Sequence, residues 1–229
     1  TLSLGTTSTG YLASNDPGGV ITVGGANVFV YGPAGNPFLN NGTINVQSGT
    51  LFTGTYLTNG PTGRIGGVGT INGSLTMGGG TIAPGNSIGN LTLTNTSYIV
   101  TSPSVFEVEM DATSSDRLTF VNPTSVVSLG AGLLNLSITL LAAPQEGTVY
   151  TIMNIASGGS GFSGYFFNLP NSGSALIANY AGTDYTLNVY YLANSITLQV
   201  PEPGTYALMG TGLALLAFRH LRSRRRRLE

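Results

Sequence analysis

The sequence predicts an all-β protein in which a parallel β-solenoid is followed by a β-rich C-terminal end module and a C-terminal transmembrane helix. Three observations lead to this prediction. Glycine makes up 34 of the 229 residues, short alternating segments recur between glycine-rich turns, and one uncharged apolar run stands near the C-terminus. Glycine allows tight corners, while threonine and valine suit short pleated strands. We expect residues 1–122 to form the solenoid, residues 123–200 the end module and residues 201–229 a separate tail.

Loose repeats in the first half of the chain predict the solenoid. The tetrapeptide Gly-Thr-Ile-Asn at residues 42–45 returns at residues 69–72, and Gly-Thr-Leu at residues 49–51 returns as Gly-Thr-Ile at residues 80–82. In a parallel solenoid, each turn of the chain buries its inward side chains against the neighbouring turns. Stacking also accounts for the charged share of only 7%, because stacked like charges repel. A conventional antiparallel sandwich has the same strand propensities and stays open as an alternative.

One passage indicates the kind of solenoid. Residues 66–121 contain the turn Pro84, Gly85, Asn86 and Ser87, and continue with Phe-Glu-Val-Glu-Met at residues 106–110 and Ser-Asp-Arg-Leu at residues 115–118. This passage resembles the passenger-associated repeats of autotransporter-like proteins. The resemblance implies a right-handed β-helix.

The region after residue 122 has a different sequence pattern. Apolar residues alternate at residues 134–140, 185–189 and 196–200, which is typical of half-buried strands. We expect about five strands in residues 123–200, paired antiparallel. Such a module would cover the open edge of the solenoid, which otherwise invites pairing with other chains.

The tail combines three features in a fixed order. Pro201, Glu202 and Pro203 come first, followed by the uncharged residues 206–218 and then by a basic cluster. Extended to residues 204–221, the apolar run reaches about 27 Å as a helix, which makes it a marginal membrane span. The arginines would then act as a membrane stop signal and hold this end in the cytoplasm. They are Arg219, Arg222, Arg224, Arg225, Arg226 and Arg227. An amphipathic or core helix with a solvated basic end is the alternative.

The ordered tail at residues 200–227 resembles a PEP-CTERM sorting signal, in which Pro201, Glu202 and Pro203 match the motif itself. The resemblance implies export, and localisation in the cell envelope, at the cell surface or outside the cell. It also implies an exosortase-type membrane processing enzyme as partner and a transient or lasting membrane anchor, with exopolysaccharide as a further candidate partner. An exported protein needs a signal peptide, which the first 20 residues lack, so we expect sequence upstream of Thr1.

Candidate chemistry in the body is confined to one group of acids. Glu107, Glu109 and Asp111 would share one face of a strand, with Asp116 nearby. Three such oxygens would suit a calcium ion, and two carboxylates would suit a glycosidase, but a solvated strand face is the simpler interpretation. Asp116 and Arg117 are a candidate local ion pair. We therefore predict no catalytic, cofactor or metal site.

Charge and composition exclude several functions. The net charge is −1, lysine is absent, and most arginines lie in the tail, so the acidic body is a poor partner for nucleic acid. The only histidine, His220, also lies in the tail, which excludes a Ser-His-Asp triad in the body. The sequence predicts a non-enzymatic structural or adhesive protein of the cell envelope or extracellular matrix. A carbohydrate-binding or carbohydrate-active β-helix protein is the first alternative. A fragment of a larger secreted repeat protein, with its function upstream of Thr1, is the second.

Overall fold

A computed structural model describes residues 2–4, 8–9, 14–31 and 36–202, and within these residues every regular element is a β-strand. The strands are β1 (Leu2–Leu4), β2 (Ser8–Thr9), β3 (Ser14–Asn15), β4 (Val20–Val23), β5 (Ala26–Val30), β6 (Phe38–Asn40), β7 (Thr43–Val46), β8 (Gly49–Asn59), β9 (Arg64–Gly67), β10 (Thr70–Gly78), β11 (Thr81–Pro84), β12 (Asn90–Thr94), β13 (Tyr98–Ser102), β14 (Ser104–Met110), β15 (Arg117–Val121), β16 (Val127–Ser128), β17 (Leu134–Leu140), β18 (Val149–Ser157), β19 (Phe162–Ser163), β20 (Ala175–Tyr180), β21 (Thr183–Tyr191) and β22 (Ser195–Gln199).

The strands form two sheets. The smaller sheet has seven strands in the order β1-β4-β7-β9-β11-β14-β17, and each neighbouring pair is parallel. The larger sheet has 15 strands and is parallel up to β18, where it continues antiparallel through β22, β21 and β20. The predicted all-β fold with parallel sheets is therefore confirmed.

Alternating side chains explain why these segments are strands. In β7 and β14, every second residue is buried, which places an apolar row inside and a polar row outside. The parallel register aligns Ile21 with Ile44, Ile44 with Ile65, and Ile65 with Ile82. All four are at most 1% exposed and belong to one continuous core. A one-residue slip would turn this row outward, so the apolar pattern fixes the register.

The repeats identified in the sequence do not stack on one another in the structure. Residues 43–45 lie in the smaller sheet, whereas residues 70–72 lie in the larger one, so the two Gly-Thr-Ile-Asn segments do not stack. Thr70 pairs instead with Thr50, and Thr81 pairs with Arg64. The Gly-Thr motif marks the start of strands in both sheets. The sequence comparison therefore grouped strands that belong to different sheets.

Pairing does not change at residue 122. β17 is parallel to β14, and β18 is parallel to β15, while antiparallel pairing begins where β18 meets β22. The expected antiparallel pairing of residues 123–200 is therefore wrong for β16, β17 and β19, which pair parallel. The division into residues 1–122 and 123–200 stays a prediction.

The outer edge of β17 is covered by the chain at residues 166–168. Phe167 donates its backbone N–H to the carbonyl oxygen of Leu134 at 2.8 Å. The side-chain amide of Asn168 then takes the place of a peptide group: its Oδ1 accepts the N–H of Leu136 at 3.1 Å, and its Nδ2 donates to the Leu136 oxygen at 2.9 Å. Edge groups satisfied in this way are not available for pairing with another chain.

Candidate functional site

The last strand of the described residues, β22, leads directly into Pro201 and Glu202. β22 lies between β18 and β21, and Gln199 is paired with Val149 on one side and Asn188 on the other. Val200 extends this pairing by one residue: its N–H donates to the Thr148 oxygen at 3.1 Å, and its oxygen accepts the Gly147 N–H at 3.0 Å. The Val200 side chain is only 4% exposed. The folded body therefore holds the chain up to the residue before Pro201.

Pro201 and Glu202 are exposed. Glu202 lies over the turn before β18, because a Cβ added at Gly147 would be 3.5 Å from its Cγ and 3.7 Å from its Oε1. Sequence reasoning identified Pro201 and Glu202 but missed the contacts of Val200, Gly147 and Thr148. The glycine of the segment Gln-Glu-Gly-Thr at residues 145–148 was the available signal, and its φ of 75° is a conformation that favours glycine.

The other predicted tail residues, Pro203 and the six arginines, lie outside the described residues, as does the predicted membrane helix at residues 206–218. Within the described part of the chain, no helix has the length and apolar character needed to cross a membrane.

Three acids of the body, Glu107, Glu109 and Asp116, border an open groove of about 410 Å³ on the outer face of the smaller sheet. The groove exists because Gly66 and Ala83 are small where neighbouring strands carry longer side chains. Arg64 Nη1 forms an ion pair with Glu107 Oε2 at 2.5 Å, and both side chains are nearly half exposed. The carbohydrate alternative predicts acids and aromatic rings along one groove, but none of the described residues lining this groove is aromatic.

Asp116 is the one acid at the groove that is buried, at 2% exposure. Its Oδ1 accepts the Gly89 N–H and its Oδ2 accepts the Glu109 N–H, both at 2.8 Å. Burial raises the pKa of Asp116 to about 6, although these two hydrogen bonds lower it. The expected pair with Arg117 is wrong, because Arg117 Nε donates to Asn90 Oδ1 instead.

The expected row of three acids on one strand face is wrong for Asp111. β14 ends at Met110, and the Asp111 carboxylate accepts the N–H groups of Thr113 and Ser114, which follow it in the chain. The hydroxyl of Tyr150 fixes the same loop by donating to the Ala112 oxygen at 2.6 Å. In the described residues, no three acidic or histidine side chains come together as a candidate metal site. The arrangement is that of a hydrogen-bonded turn.

Comparison with known families concerns the tail. Residues 199–226 match the family described as the PEP-CTERM protein-sorting motif. The chain carries this sorting motif. The PEP-CTERM motif indicates exosortase-dependent sorting to the cell surface, with export to the cell envelope and an exosortase-type processing enzyme as the general kind of partner. No curated protein matches the chain significantly. The resemblance of residues 66–121 to autotransporter passenger repeats is not confirmed.

Proposed function

We propose that the protein is an exported, non-enzymatic structural or adhesive component of the cell envelope or extracellular matrix. Its body acts as a spacer or adhesive surface, and exosortase processes its tail at Pro201, Glu202 and Pro203. The observation that carries the proposal is the PEP-CTERM motif at residues 199–226, which begins at the last residue of β22. An exposed glutamate between two prolines, which disfavour a helix, suits an enzyme that reads an extended peptide.

The architecture of the body supports the structural part of the proposal. Two mainly parallel sheets with aligned apolar rows are what a β-solenoid of the right-handed β-helix type requires. In such a solenoid, each added turn lengthens the body without needing a new kind of core. Charged residues are scarce, and the carboxylates of Asp111 and Asp116 accept hydrogen bonds from backbone N–H groups. Both observations support a scaffold rather than a catalyst.

The tail completes the proposal. The apolar run at residues 206–218 is a transmembrane helix that holds the chain during processing, and the arginines that follow it are the stop signal. Exopolysaccharide at the cell surface is the partner proposed for the exported body.

The decisive experiment changes one exposed side chain. Glu202→Ala in the full chain, expressed in its own host, should leave the unfolding midpoint unchanged and block the loss of the tail, as read from intact mass and cell fractionation. Asp16→Ala, which alters an exposed acid in a distant turn, is the matched control and should be processed normally. Normal processing of Glu202→Ala would overturn the sorting role. Retention of full-length unmodified chain in the inner membrane would reduce the tail to a simple anchor.

A further inference from the structure

The distance between the folded body and the motif is fixed by the pairing of Val200. Both backbone groups of Val200 are hydrogen-bonded to the body, and its side chain is buried. Glu202 follows two residues later, so its Cα lies within about 7 Å of that of Val200 even in a fully extended chain. Pro201 has a fixed φ, which removes one of the few rotations left between them. The motif is therefore held close to one place on the body.

That place is the turn at residues 145–148. Thr148 donates its N–H to the Gln145 oxygen at 3.2 Å, and Gln145 donates its N–H to the Ala112 oxygen at 3.0 Å. The turn is thus tied to the loop after β14, which Tyr150 also fixes. The side chains of Gln145 and Glu146 are exposed beside Gly147, over which Glu202 lies.

The backbone just before Pro201 is closed to a partner. An enzyme that binds an extended peptide commonly pairs with its backbone as an added strand. At Gln199 this is prevented, because β18 and β21 already occupy both sides. On the side of Glu202 that faces the body, the turn is the surface within reach of such a partner.

On this basis we propose that the processing enzyme docks on a composite surface made of the exposed motif residues Pro201 and Glu202 and the turn carrying Gln145 and Glu146. The proposal rests on the sorting function proposed above. The matching surface on the enzyme is a groove for an extended chain, flanked by cationic or N–H donor groups that face Glu202 and Glu146. Because the body presents both parts in a fixed arrangement, the enzyme binds them without the entropic cost of ordering a flexible tail.

The test separates the motif from the turn while keeping both. Insertion of eight Gly/Ser residues between Val200 and Pro201 leaves the motif intact but frees it from the body. We expect processing in the native host, followed as conversion of pulse-labelled chain to its shorter mass, to slow by about fivefold or more. The same insertion between Pro17 and Gly18, in an exposed turn many strands away, should leave the rate unchanged.

A charge reversal identifies the turn itself. Glu146→Lys should slow processing, whereas Asp16→Lys, in the distant turn, should not. In the chain with the linker, Glu146→Lys should have no further effect, because the two changes remove the same contact. Equal or faster processing with the linker, or no effect of Glu146→Lys, would overturn the proposal. Either result, combined with blocked processing of Glu202→Ala, leaves the sorting function itself intact. Normal processing of Glu202→Ala would instead overturn both the sorting function and the docking surface.

Discussion

Asn40 donates a hydrogen bond from its side-chain Nδ2 to Oδ1 of Asn59 at 2.8 Å, and neither side chain is exposed. Asn15 donates to Asn40 in the same way at 2.7 Å, and Asn59 donates to the Thr81 oxygen at 2.9 Å. Each asparagine ends a strand of the larger sheet, and their amides also contact backbone oxygens at the start of strands in the smaller sheet. The asparagines therefore hold the corner between the two sheets.

The first prediction concerns this corner. Asn40→Asp keeps the shape but replaces the donor to Asn59 Oδ1 and the Arg64 oxygen by a carboxylate that repels both. We expect the free energy of unfolding at pH 7 to fall by about 3 kcal/mol or more, measured by urea denaturation. Asn171→Asp, at an exposed turn away from the acids of the groove, is the control and should change it by less than about 0.5 kcal/mol. Equal effects of the two changes would contradict a structural role for the ladder.

The second prediction concerns the glycines beside the ladder. A Cβ added at Gly80 would lie 2.4 Å from the Gly60 oxygen and 2.5 Å from the Gly63 oxygen, both of them backbone atoms. Gly80→Ala should therefore lower the free energy of unfolding by about 2 kcal/mol or more. At Gly24 a Cβ meets nothing within 4 Å, so Gly24→Ala should leave stability unchanged or raise it slightly. Thermal or urea unfolding of the two variants measures this difference. Unchanged stability of Gly80→Ala would show that the backbone at this corner has room for a Cβ.

The third prediction uses two buried tyrosines. The hydroxyl of Tyr98 is buried and has no hydrogen-bond partner among the described residues, and burial raises its pKa above the usual value. Tyr98→Phe removes this unsatisfied group and should raise the free energy of unfolding by about 1 kcal/mol. Tyr150→Phe should lower it by about 1 kcal/mol, because the Tyr150 hydroxyl donates to the Ala112 oxygen. Marked destabilisation by Tyr98→Phe would indicate that its hydroxyl has a partner in solution.

The fourth prediction is a pH dependence. The pKa of Asp116 is raised by burial from 3.8 to about 6, so the folded protein binds this proton more tightly than the unfolded chain does. Its contribution to stability is therefore greatest below about pH 4 and is lost as the pH rises through 6, a change of about 3 kcal/mol at most.

Urea midpoints between pH 4 and pH 7 test this dependence. Asp116→Asn should remove this component of the slope, at the cost of one acceptor for the N–H groups of Gly89 and Glu109. Asp16→Asn, which alters an exposed acid, should retain it. An identical slope in the parent and in Asp116→Asn would show that Asp116 titrates normally.

The fifth prediction is a small effect. Arg64 and Glu107 form an ion pair across the groove, but their side chains are 47% and 41% exposed. A double-mutant cycle with Arg64→Ala and Glu107→Ala should give a coupling energy below about 1 kcal/mol, decreasing as salt is added. A larger, salt-independent value would mean that the pair is better shielded from water than its exposure indicates.

The sequence by itself determined the all-β class and the sorting motif, because these depend on local properties: alternating apolar residues, glycine at corners, and an ordered tail. It predicted parallel sheets but left an antiparallel sandwich open, and the tertiary structure decided between the two. Only the tertiary structure decided which strands stack. Gly-Thr begins strands in both sheets, so the sequence of a strand does not show to which sheet it belongs. The tertiary structure also determined the environment of Asp116, which is a buried hydrogen-bond acceptor for the N–H groups of Gly89 and Glu109. The position of Glu202 close to Gly147 was also decided by the tertiary structure. The two residues are far apart in the chain, and such proximity arises from the register of neighbouring strands rather than from any local pattern.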